Sequence, residues 1–125
     1  MAAPNLVNVT SIFGKTTYDS LVSTSTANQI VNAAGSNKVF KINTILAANV
    51  DGTNDADISV FVTTASSSSV LFYLARTITV PADSTLVVTS KDTSFYLEED
   101  RILRAFASNS SDISLMISYE EMDDA

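Results

Sequence analysis

Apolar positions alternate with polar, mostly Ser and Thr, positions in short runs along nearly the whole chain, and each run ends at a turn signal. Period-two spacing puts every second side chain on one face of a strand, which restricts the chain to β-structure. Ile58, Val60 and Val62 make one such set, Ile78 and Val80 another, and Leu86 and Val88 a third. Ile113, Leu115, Ile117 and Tyr119 close the chain with the clearest set. In the longest run, Phe40, Ile42, Thr44, Leu46, Ala48 and Val50 are expected on one face, with Lys41, Asn43 and Asn49 on the other.

The breaks agree with the runs. Ala34-Gly35-Ser36-Asn37, Asp51-Gly52-Thr53-Asn54, Pro81-Ala82-Asp83-Ser84, Glu98-Glu99-Asp100 and Asn109-Ser110-Ser111 carry residues that initiate or tolerate tight turns. Ser66–Ser69 reads as a flexible loop tip. No stretch shows a helical period. About eight to ten short strands at regular spacing predict an all-β fold, an antiparallel β-sandwich of jelly-roll type; an immunoglobulin-like strand order produces the same alternation. At 125 residues a single domain spans 1–125. Residues 1–12 are either its first strand or an arm that adds to a neighbour's edge. Residues 120–125 are expected to form a frayed acidic tail.

What the chain lacks narrows its function. It has no Cys and no His, which removes most nucleophiles, general bases and transition-metal ligands. Gly14-Lys15-Thr16 matches the end of a phosphate-binding loop, but Val9 stands where that loop needs Gly. Glu98, Glu99, Asp100, Glu120 and Glu121 do not form the facing pair that glycoside hydrolysis requires, and read as a solvated turn and tail. The chain is therefore read as not an enzyme, with no cofactor. Asp51, Thr53, Asp55 and Asp57 open like a calcium loop, but Ala56 replaces the needed Gly and Val62 the bidentate Glu, so a polar loop is the simpler reading. A net charge of −7 with seven scattered cations opposes nucleic-acid binding. The apolar run Val70–Ala75 is too short to cross a bilayer, so no membrane partner is expected. Met1 to Val9 has neither a cation nor a long apolar stretch, unlike a secretory signal, and cytoplasmic synthesis is expected.

Apolar residues on faces that should be polar carry the positive signal. Phe61 lies between Ser59 and Thr63, Met116 between Ser114 and Ser118, and Val70–Ala75, with Phe72, is apolar on both faces. Either these strands are covered on both sides, or Phe61, Phe72 and Met116 belong to a subunit interface. Leu6 and Val7, in the N-terminal segment, are further interface candidates. The expected partner is another copy of the chain, in a homo-oligomer.

Three segments then carry a resemblance: Lys38 to Gly52, Thr77 to Val88, and Phe95 to Asp100 with the closing Ile117 to Glu121. In order and spacing they resemble the small all-β virion structural proteins of tailed bacteriophages, the marine cyanophage type in particular. Met122 to Ala125 departs from the shorter ending usual there. The resemblance implies a non-enzymatic particle component, made in the host bacterial cytoplasm and located in the virion. Its implied partners are other virion proteins, a major capsid or tail protein. Capsid decoration, docking repetitively on the lattice, is the first expectation; a neck, tail or fibre-associated component is the second. A receptor- or carbohydrate-binding module is a third reading, with Tyr18, Tyr73, Tyr96 and Tyr119 as the platforms in place of the missing Trp, although Tyr119 is expected buried and Tyr73 sits in the apolar strand.

Overall fold

The pairing of strands is that of one long hairpin rolled up on itself. The computed structural model describes residues 6–20 and 22–123. Nine strands follow a short 3-10 turn at Leu6–Asn8: β1 (Ser11–Asp19), β2 (Ala27–Asn32), β3 (Lys38–Asn49), β4 (Ala56–Thr64), β5 (Val70–Val80), β6 (Thr85–Thr89), β7 (Phe95–Leu97), β8 (Arg101–Ala107) and β9 (Ile113–Asp123). At the tip of the hairpin β4 pairs with β5. Behind it β3 pairs with β6 and β7, β2 with β8, and β1 with β9, all antiparallel. Lateral pairing of β3 with β9 and of β4 with β8 splits the roll into two sheets. Sheet A runs β1-β9-β3-β6, with β7 beside β3, and sheet B runs β2-β8-β4-β5. This is jelly-roll order, which alternation alone left open.

The core lies between the sheets. Ile42, Ile45, Ala47, Ile113, Leu115 and Ile117 from sheet A face Ile58, Val60, Leu103, Ala105 and Ala107 from sheet B. Register keeps each set on one face: Ile45 stands opposite Ile117, Ala47 opposite Leu115, and Val60 opposite Ala105.

One bulge changes the reading of β3. The register against β9 shifts between Ile42 and Thr44, leaving Asn43 as the extra residue. An extra residue swaps the faces of everything after it. Phe40 and Ile42 face inward as expected, but Ile45, Ala47 and Asn49 take over beyond the bulge, and Thr44, Leu46 and Ala48 turn outward. Val50 is exposed. Asn49, expected on the polar face, is 3% exposed. Its amide donates to the carbonyls of Asn54 and Val80 at 2.9 Å each, clamping sheet A to the end of β5. At the opposite end Asn32 of β2 donates to the carbonyls of Lys38 (2.9 Å) and Leu97 (3.0 Å), a second clamp between the sheets. Buried amides stay there because each finds partners.

Three other expectations are corrected. Ser66–Ser69 is held rather than loose: Ser66 donates through its backbone (2.8 Å) and hydroxyl (3.0 Å) to the Asp100 carboxylate, and Ser67 shares hydrogen bonds with Thr64 and Ser69. Glu99 is not solvated; it is 5% exposed and accepts the Asn37 N–H at 2.7 Å. The acidic end is not frayed as far as Asp123, because β9 continues to that residue and buries Glu121 and Met122. Residues 124–125, and Met1 to Asn5 of the N-terminal segment, lie outside the described residues.

Candidate docking surfaces

The outer face of sheet A carries a row of apolar side chains in register across its four strands. Tyr18 of β1 stands opposite Met116 of β9, Met116 opposite Leu46 of β3, and Leu46 opposite Val87 of β6. Tyr18 is 74% and Val87 56% exposed, and Met116 and Leu46 are half-buried between them. The row above is Ser114, Ala48 and Thr85; the row below is Thr16, Ser118 and Thr44. Across these three rows of facing residues there is no charge. A shallow depression of about 360 Å³ opens among Tyr18, Leu46, Ala48, Thr85 and Met116, and Asp19 of β1 also lines it.

This row gathers Met116 with residues that the sequence pattern missed. Leu46 was assigned to the core by strict alternation, and Asn43, a poor strand former inside a strand, is the signal of the bulge that moved it.

Charge begins one end further down. Glu121 is 8% exposed and accepts hydrogen-bonded ion pairs from Lys15 (3.0 Å) and Lys38 (3.3 Å). Burial pushes the Glu121 carboxyl up, but the hydrogen bonds and charges of Lys15 and Lys38 outweigh it and hold the group below its ordinary value. The hydrogen bond to Glu121 and its charge raise Lys15 in turn.

The outer face of sheet B is apolar in a different way. Phe61 is 5% exposed because Tyr73 of β5 and Phe106 of β8 lie against it, with ring centroids at 5.0 and 6.0 Å. The Arg76 guanidinium caps Tyr73 at 5.0 Å from the ring centroid. Phe61, expected at an interface, is thus covered by its own chain, and what remains accessible is the rim around it.

A third surface opens where sheet A's edge strand breaks. Between β6 and β7 the chain makes a 3-10 turn at Lys91–Thr93, so the lower half of β5 loses its facing strand. An apolar cleft of about 470 Å³ results, lined by Val62, Leu71, Phe72, Leu74, Val88 and Phe95, with Thr89 and Thr93 at the turn. Phe72 points into this gap and is 68% exposed. Leu6 and Val7, in the 3-10 turn that precedes β1, are 46% and 90% exposed.

The acidic loop residues serve the fold. The Asp51 carboxylate accepts the N–H groups of Thr53 (2.8 Å) and Asn54 (3.3 Å), which with the Asn54 side chain hold it below its ordinary value. Asp55 accepts from the Ala82 N–H and Asp57 from the Thr79 hydroxyl. The three carboxylates are engaged separately, and among the described residues no three metal-ligating side chains gather.

No protein-family model and no curated protein matches this chain.

Proposed function

We propose that this protein is a non-enzymatic structural component of a tailed-phage particle. It docks in many copies on the lattice of a major capsid or tail protein, decoration of the capsid being the first assignment. The observation that carries this reading is the uncharged Tyr18–Met116–Leu46–Val87 row on the outer face of sheet A. An apolar stripe bordered by small hydroxyls suits desolvation against another protein, since the row itself holds no charge that must be stripped of water and the nearby Asp19 carboxylate is hydrogen-bonded to Gln29. The net charge of −7 meanwhile keeps free copies apart. The resemblance of the Lys38–Gly52, Thr77–Val88 and Phe95–Asp100 segments to small virion proteins supplies the setting.

The size of the face fits repetition. Four strands and three rows of residues present roughly 400 Å², about half of what one partner contributes to a stable standard interface. Binding through this face alone is weak, and multiplicity on a lattice or a second contact supplies the rest.

Quantitative mass spectrometry of purified particles, scaled to the major capsid protein, tests the reading. A copy number comparable to the capsid protein is expected. A small fraction of it moves the protein to the neck, tail or fibres, and absence from the particle overturns the proposal.

A further inference from the structure

We infer that β1 pairs with β1 of a second copy of this chain, edge to edge and antiparallel about a two-fold axis, so that two A sheets join into one. This pairing deepens the docking reading and rests on it for what the joined face is for.

An edge strand leaves alternate N–H and C=O groups unpaired, and stable monomers blunt such edges by shortening, bulging or charging them. Three of the four edges of this sandwich are blunted. β2 has six residues and a bulge between Asn28 and Ile30. β5 shifts register three times against β4 and turns left-handed at Thr77, with φ 47°. β6 and β7 have five and three residues, with the Lys91–Thr93 turn between them. β1 is the fourth edge and is left plain. Its nine residues keep one register against β9, from Ser11–Asp123 to Asp19–Leu115, and among the described residues no strand pairs with its other side. It contains no Pro. Its two charges are engaged within the chain, Lys15 with Glu121 (3.0 Å) and Asp19 with Gln29 (3.0 Å). Ile12, Phe13 and Tyr18 are exposed on it. Such a strand is a template for another extended strand.

The same comparison of edges identifies the occupant. A straight strand is matched over its length by another straight strand, and β1 is the long unbulged edge that a second copy offers. Antiparallel pairing lets both copies make the same contact, which closes the assembly as a dimer. Charge agrees, because β1 carries one Lys and one Asp, hence no net charge, in a chain of net −7. Lys15 directly opposite Lys15 would repel, so the registers with the most remaining overlap set Gly14 or Thr16 opposite itself. The two-fold axis stands perpendicular to the sheet and keeps the outer faces of both A sheets on one side. Their apolar rows, roughly 400 Å² each, together present roughly 800 Å², the contribution of one partner to a standard interface.

Cysteine trapping tests the pairing, since the chain has no Cys. Facing residues of an antiparallel pair stand about 4.5–5.5 Å apart at Cα, within the span of a disulfide. Gly14→Cys, Thr16→Cys and Ser118→Cys are made singly and oxidised. Nothing lies within 4 Å of a Cβ at Gly14, and Thr16 is exposed, so both variants should fold. Ser118 stands opposite Thr16 on the same outer face, one strand in from the edge, and is the control. A linked homodimer at least about fivefold stronger than the control is expected at Gly14 or Thr16, because a disulfide closes only across facing positions. Equal bands at Thr16 and Ser118 would mean that outer faces stack instead of edges pairing, and would overturn the inference, as would no band above the control at either edge position. Hydrogen exchange of the native chain needs no substitution. The β1 amides should slow as concentration rises while those of β2 stay unchanged; β1 exchange independent of concentration overturns the inference whatever the bands. Pairing with no protein in particles leaves the inference standing and removes the docking reading; a high copy number without pairing does the reverse.

Discussion

The two outer faces of the sandwich differ in how they treat the same sequence signal. Each carries large apolar residues at positions where alternation calls for polar ones. On sheet B the outward Phe61 is flanked by Tyr73 and Phe106, whose rings reach across the strand spacing and cover it. On sheet A the outward Met116 is flanked directly by Tyr18 on one side and Leu46 on the other, with Val87 one strand beyond Leu46, and these line up beside it without covering it. Rings packed against it from both neighbouring strands bury Phe61 on its own sheet, whereas Met116, between Leu46 and a Tyr18 that stays 74% exposed, lies in an open stripe. An apolar residue on an outer face is therefore core or interface according to the reach of its cross-strand partners.

The comparison breaks first at Phe61. If its burial is structural, Phe61→Ala should destabilise the isolated chain by about 3 kcal/mol, in the range for deleting a buried ring. Chemical denaturation followed by circular dichroism measures it. A loss below about 1 kcal/mol would mean that Tyr73 and Phe106 stack without depending on it, and the two faces would then be alike. Phe61→Asp is expected to unfold the chain rather than to block assembly alone, because a buried carboxylate there has no partner.

The charged end of sheet A gives a smaller effect with a pH signature. The lysines lower the Glu121 pKa in the fold, so the ionised form is favoured by folding. Its contribution is complete above the ordinary value of 4.5 and fades as pH falls through the lowered value. Glu121→Gln should cost about 1 kcal/mol at neutral pH, because both lysine partners are part-exposed and water screens their attraction to the carboxylate. The difference between variant and native chain should shrink as the solution is acidified below pH 4.5. A cost that does not change with pH would assign the loss to packing of β9 instead.

The legibility of this chain follows the same divide. Strand content, turns and the inward sets of β4 and β9 were readable, because regular strands transmit period-two patterning directly from sequence to face. The set on β3 was not readable past Asn43, because a bulge leaves the composition of a strand intact while exchanging its faces. That one exchange hid Leu46, and with it the outer row, and placed Asn49 on the wrong side. Met116 was legible as an outward residue and Phe61 equally so; their different fates depend on which strands lie beside them, and only strand order supplies that. The cleft was illegible for another reason. It arises from a gap between sheets where the edge strand breaks at Lys91–Thr93, and no local pattern encodes a missing neighbour.

Met116 sharpens the comparison through the smallest change in stability. Its side chain is half-buried on a face with no layer above it, between the small polar side chains of Ser114 and Ser118. A carboxylate at that position can turn outward and stay hydrated, so Met116→Asp should cost the isolated chain no more than about 0.5 kcal/mol. The same carboxylate would lie in the middle of the uncharged row, between Tyr18 and Leu46, with no cation among its facing residues. Docking of a partner over it would bury that charge unpaired, at a cost of several kcal/mol, enough to remove an interface of this size. Incorporation into particles, measured by competition between native and variant chains, should fall at least tenfold while the melting temperature barely moves. Incorporation at the native level would release the row from the interface. A large drop in melting temperature would instead place Met116 with Phe61, and make the outer face of sheet A a second covered surface.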